Sequence, residues 1–146
     1  MVARAIDTWG RLPDVSLMDV RAALTEHGIR PTRQRVAIAR YLLVTDEHPS
    51  ADLVWERVRA KMPAVSRATV YNTLSLFVQQ GLVRSYAITE GATVYDPRTE
   101  PHHHLVDETT GEIHDLPWDA LRVDGLEGLE GFDVSDYQVV LRGKRS

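Results

Sequence analysis

The sequence predicts an α+β protein, a winged helix-turn-helix domain followed by a small α/β domain. Three features predict it. Four segments with helical apolar spacing, each closed by Gly, Pro or Ser, fill the chain up to Gly81. Two β-like runs flank Glu90-Gly91 immediately after them. Beyond Pro97 the pattern turns to short strand-like runs around a histidine triplet.

The elements follow in order. Residues 1–15 show no period and read as an arm. Ser16 is a candidate cap for a first helix in which Leu17, Val20 and Leu24 share a face and which Gly28 ends. A second helix follows Pro31, with Val36, Ile38, Leu42 and Leu43 on or near its buried side. His48-Pro49-Ser50 breaks the chain, and Ser50 caps a third helix carrying Leu53, Val54 and Val58. Pro63 interrupts again, and Ser66 caps a fourth helix with Val70, Leu74 and Phe77 inward and Gly81 at its end. Residues 82–88 and 92–95 form a hairpin, so the first domain covers residues 16–96. In residues 97–146, strands are expected at 102–106, 112–114 and 132–142.

Composition narrows the chemistry. The chain has no cysteine, so a metal must be held by His, Asp, Glu or main-chain oxygen. No apolar run reaches the roughly 20 residues of a membrane span, and residues 1–10 lack the apolar core of a secretory signal, so a cytoplasmic location is expected and no membrane partner. The net charge of −4 is uneven: residues 1–85 carry +4 and residues 86–146 carry −8. Only the first part is suited to a polyanion, although two ordinary solvated surfaces account for the charges equally well.

The segment Ser66-Arg67-Ala68-Thr69-Val70-Tyr71-Asn72-Thr73-Leu74 is unusual for a surface helix. Its polar face carries Arg67, Thr69, Tyr71 and Asn72, which can donate to phosphates, touch thymine methyls and hydrogen-bond base edges. Arg30, Arg33 and Arg35 form a second cluster able to grip a DNA backbone or a narrow minor groove. A capped helix with a merely solvated face is the alternative.

Spacing also suggests a metal. On a strand, His102 and His104 point to one face and His103 to the other. Asp96 lies six residues before His102, and Asp115 eleven after His104, so both carboxylates can return to the same point. His48, opening a helix in the first domain, is able to bridge the domains. Each has a plainer role available: a helix cap for His48, a turn former for Asp96 before Pro97, a residue leading into a helix for Asp115. His103 reads as outward-facing, and His114 as a surface or supporting group.

Residues 28–84 resemble the DNA-binding domain of the ferric uptake regulator superfamily. The resemblance is carried by Gly28-Ile29-Arg30-Pro31-Thr32-Arg33-Gln34-Arg35, His48-Pro49-Ser50-Ala51, the Ser66–Leu74 segment and Gly81-Leu82-Val83. His102-His103-His104 through Gly111-Glu112-Ile113-His114-Asp115 resembles the family's metal-binding hinge and dimerisation domain, and the similarity runs collinearly over residues 17–143. The resemblance implies a homodimeric, metal-dependent repressor binding a pseudo-palindromic double-stranded operator. It implies one regulatory site of His48, Asp96, His102, His104 and Asp115, a mixed N/O set suited to Fe(II) or Mn(II), with Zn(II) accommodated by the same donors. Asn72 and Asp115 resemble the peroxide-sensing branch, in which His48 and His102 are the expected targets of iron-catalysed oxidation.

Two departures stand out. Asp107 and Thr110 replace the first CxxC pair of the family's structural zinc site and no second pair follows, so no cysteine-ligated zinc is expected. Arg122 and Tyr137 stand where a second histidine-rich site would have ligands, which leaves one metal per chain. A reversible iron-, manganese- or haem-responsive repressor remains open. More distant are a non-haem Fe(II) enzyme, which would need a substrate pocket and an acid or base that the sequence does not show, and a purely structural dimer module.

Overall fold

The computed structural model describes residues 17–89 and 91–146, which form two compact units dividing between Thr99 and Glu100. The arm at residues 1–15, the Ser16 cap and Glu90 of the hairpin lie outside the described residues.

The first unit has four helices, α1 (Leu17–Glu26), α2 (Arg33–Leu42), α3 (Ala51–Arg59) and α4 (Arg67–Gln79), then a hairpin of β1 (Arg84–Thr89) and β2 (Ala92–Asp96). Local chemistry fixes the helix ends. Thr32, Ser50 and Ser66 sit in extended backbone, and their hydroxyls accept from the N–H of Arg35, Leu53 and Thr69. Gly28 (φ 72°) and Gly81 (φ 77°) end α1 and α4 in left-handed backbone. There Ile29 N–H reaches back to Leu24 O (2.8 Å) and Leu82 N–H to Phe77 O (2.9 Å). The faces so aligned bury one core of Val20, Leu24, Val36, Ile38, Leu42, Val54, Val58, Val70, Leu74 and Phe77, closed by Leu82 and Val83. Leu43 and Leu53 are half-buried at the margin of this core. β1 and β2 pair antiparallel with a register shift between Tyr86 and Thr89.

The second unit is a three-stranded sheet in the order β4-β3-β5, with β3 (His102–Asp107) central, β4 (Ile113–Pro117) antiparallel to it and β5 (Val140–Gly143) parallel. A parallel neighbour requires a crossover, and residues 118–139 supply it with two short 3₁₀ turns. The last strand is therefore shorter than the 132–142 expected. Residues 132–136 are exposed, and the two residues just before the strand engage histidines of β3: Val139 N–H donates to His103 Nδ1 (3.0 Å) and Gln138 Oε1 accepts from His104 Nδ1 (2.9 Å). The core here is polar. Val106 is its one buried apolar side chain among the described residues, beside His102, His103, His104 and Asp107.

Candidate metal centre

Within the first unit, the loop before α3 presents His48. Its backbone is left-handed (φ 52°), unusual for a residue with a side chain and doubly so before proline. Neighbouring bonds hold it there. Arg57 grips the Glu47 carboxylate in a fork (2.8 and 3.2 Å) and the Tyr41 hydroxyl donates to it at 2.7 Å. These bonds, Arg57 first, keep the Glu47 carboxyl below its usual range. On the other side, Tyr95 N–H donates to Pro49 O (2.9 Å) and Ser50 bridges to Val94. The loop is thereby stitched to β2, and the last residue of β2, Asp96, meets His48: Oδ2 to Nε2 is 3.4 Å, both side chains buried. The His48 Nδ1–H donates to the Asp46 carbonyl (3.2 Å), which assigns the proton to Nδ1 and the lone pair to Nε2. The other Asp96 oxygen accepts from Arg98 N–H at 2.9 Å.

Within the second unit, strand alternation and register do the work. His104 pairs directly with Asp115 across β3 and β4, and His102 lies two residues away on the same face. The two Nε2 atoms are 3.1 Å apart, and Asp115 Oδ1 is 3.4 Å from one and 3.5 Å from the other. Both Nδ1 protons are committed, that of His102 to the Glu100 carbonyl (2.8 Å) and that of His104 to Gln138 Oε1 (2.9 Å). Two imidazole Nε2 atoms and a carboxylate oxygen thus approach one another in a buried place, an arrangement that a shared proton or a cation would favour, and oriented Nδ1–H groups are how proteins set histidines for metal. The donor set fits a divalent transition metal.

His103 corrects an expectation. It does not face outward: it is fully buried, stacked on Trp118 with ring centroids 4.5 Å apart, and Tyr137 lies 4.7 Å from Trp118. Alternation puts His103 on the opposite face from His102, but residues 118–139 cover that face as well. Burial pushes its pKa below the ordinary histidine value, the Trp118 backbone opposing. His114 is half-buried beside Glu112 (3.6 Å), and Arg122 is exposed beside Asp124. Asp107, in the place of a family cysteine, is a turn former: its carboxylate accepts from Thr109 N–H (2.9 Å) and Thr110 N–H (3.4 Å).

Of the residues expected to meet DNA, Arg30, Arg33, Arg67, Tyr71 and Asn72 are exposed and Thr69 is half-buried. Arg35 turns back, its Nη1 donating to Arg30 O at 3.0 Å. Sequence reasoning missed Glu47, Arg57 and Gln138. Their roles rest on contacts 10 to 34 residues away in sequence, and no local spacing marks them.

The sequence model of the ferric uptake regulator family matches residues 26–142. The peroxide-responsive repressor PerR of Staphylococcus epidermidis is 33% identical over 132 residues, covering 89% of this chain and 88% of that protein. Among solved structures, a zinc-bound manganese uptake regulator superposes with a TM-score of 0.65 at 29% identity, covering 87% of this chain and 98% of the other. A manganese-containing ferric uptake regulator from Pseudomonas aeruginosa gives 0.65 at 27%, covering 86% and 96%.

Proposed function

The chain belongs to the ferric uptake regulator family, and from that premise we propose that it is a metal-dependent, DNA-binding transcriptional repressor that senses peroxide. The observation that carries the reading is the convergence of His102 Nε2, His104 Nε2 and Asp115 Oδ1 within 3.5 Å, with both imidazole protons turned away. His48 and Asp96 complete the ligand set by family resemblance, as a second pair whose Nε2 and carboxylate already face each other. Fe(II) or Mn(II) is the resident metal, with Zn(II) accommodated by the same donors. Family membership makes the protein a regulator rather than a non-haem iron enzyme.

By the same resemblance, a metal held by ligands of both domains would fasten the hinge. In a homodimer the hinge sets the spacing of two α4 helices to the half-sites of a pseudo-palindromic operator. Dimerisation has its own support: a unit with one buried apolar side chain and exposed Leu129, Phe132, Val134 and Leu141 has too little core to stand alone. Among the described residues no helix is long and apolar enough to cross a membrane, and a cytoplasmic repressor needs none.

A bound Fe(II) would supply the electrons that split peroxide beside the imidazoles. By family resemblance His48 and His102 are the side chains that would take up the oxygen, and an oxidised imidazole is a poorer donor, so the response would be irreversible. The test is peptide mass spectrometry of the Fe(II)- and Mn(II)-loaded protein after brief peroxide treatment. A gain of one oxygen atom on the His48 or His102 peptide, in the iron form only, is expected. Unmodified histidines together with lost DNA binding would leave the reversible metal-responsive reading in its place.

A further inference from the structure

Two residues of the α4 face are already held before any DNA arrives, and the residue holding them is an acid. Asp52, in the first turn of α3, accepts a hydrogen bond from the Tyr71 hydroxyl at 2.9 Å through Oδ1, and the same oxygen lies 3.7 Å from Arg67 Nε. All three side chains are exposed. One turn along α3, the Trp55 ring is fixed by a hydrogen bond from Nε1 to Val65 O (3.2 Å). The Arg67 guanidinium carbon lies 4.6 Å from the centre of that ring, and that of Arg59 lies 4.1 Å from it. Arg67 is thus placed by a carboxylate and an aromatic ring together, and Tyr71 by the same carboxylate.

A carboxylate at the edge of a face that meets phosphates costs affinity for every duplex, whatever its sequence. It returns selectivity. A tethered Tyr71 offers its ring in one orientation, and a tethered Arg67 does not swing to the nearest phosphate. A duplex whose base edges match that arrangement binds a preformed surface, whereas any other must break the Asp52 contacts or leave the carboxylate facing phosphate. We propose that Asp52 is a specificity-determining positioning residue, holding Tyr71 and Arg67 in the arrangement that reads the operator. The proposal rests on the reading of α4 as the DNA-contacting helix.

The test begins with selection from a random duplex pool by the Mn(II)-loaded full-length protein. Affinities of wild type, Asp52→Ala, Asp52→Asn and Tyr71→Phe are then measured for the selected duplex and a scrambled one. Asp52→Ala is expected to bind the scrambled duplex about fivefold tighter with no gain on the selected one, so the ratio of the two falls. Asp52→Asn, which keeps an acceptor for Tyr71 but loses the charge, falls between wild type and Asp52→Ala. The Asp52→Ala/Tyr71→Phe double variant loses no more selectivity than the worse single variant, because both remove one hydrogen bond. A readout without DNA accompanies these: the Tyr71 phenol, raised chiefly by its bond to Asp52, returns toward the ordinary tyrosine value in Asp52→Ala when titrated by NMR. If wild type enriches no sequence, the DNA-binding reading fails and this proposal with it. If wild type enriches a sequence but Asp52→Ala keeps the same ratio, or the double variant is additive, the role of Asp52 is overturned and the DNA-binding reading stands.

Discussion

Single hydrogen bonds decide what the histidines can do. His102 and His104 present Nε2 because a carbonyl and an amide oxygen take their Nδ1 protons. Gln138 is therefore predicted to matter without being a ligand. Gln138→Ala should weaken Mn(II) binding by about tenfold in a calorimetric titration, whereas His114→Ala should leave it unchanged. Asp107 bears on stability instead. Its carboxylate is held below the ordinary range, chiefly by Thr109 N–H, so its contribution is complete above the unfolded-state pKa and disappears as pH falls through the lower folded value. Asp107→Asn should melt below wild type at neutral pH, with the gap closing on acidification. Alternation made the shared face of His102 and His104 legible in the sequence, and also the separation of His103 from them. It did not tell that the far face is covered, because that depends on a crossover whose packing against Trp118 has no local signature.

Secondary-structure elements were legible wherever the chain marks its own boundaries. Ser50 and Ser66 cap, and Gly28 and Gly81 terminate, because a hydroxyl acceptor or a left-handed backbone is a local requirement that names its residue. The last strand was misjudged for the opposite reason: β5 extends only over Val140–Gly143, where β3 is its partner, and the upstream apolar residues Phe132 and Val134, although spaced as on a strand, are left exposed. The helix boundaries can be measured. A Cβ at Gly81 meets nothing within 4 Å but must take φ 77°, so Gly81→Ala should cost about 1 kcal/mol through backbone strain alone. Ser66→Ala, losing the bond to Thr69 N–H, should cost about 1 kcal/mol as well, both read from urea unfolding of the metal-free protein.

At the scale of the whole molecule, the chain divides its work. The first unit has an apolar core, a positive balance of charge and the α4 face, while the second has an acidic balance and a sheet whose centre is three histidines. A cation bound by the proposed ligands would add to the stability of this sheet, and coupling the same cation to His48 and Asp96 would make DNA affinity follow metal occupancy. The most direct test is DNA binding by the purified protein on a duplex carrying its own promoter: metal-free, with Mn(II), and with Fe(II) before and after substoichiometric peroxide. A metal-gated, iron-dependent peroxide switch predicts binding with either metal, little without, and a loss on peroxide treatment confined to the Fe(II) form. Equal binding by the metal-free protein, or an Fe(II) complex that survives peroxide as well as the Mn(II) complex does, would contradict it.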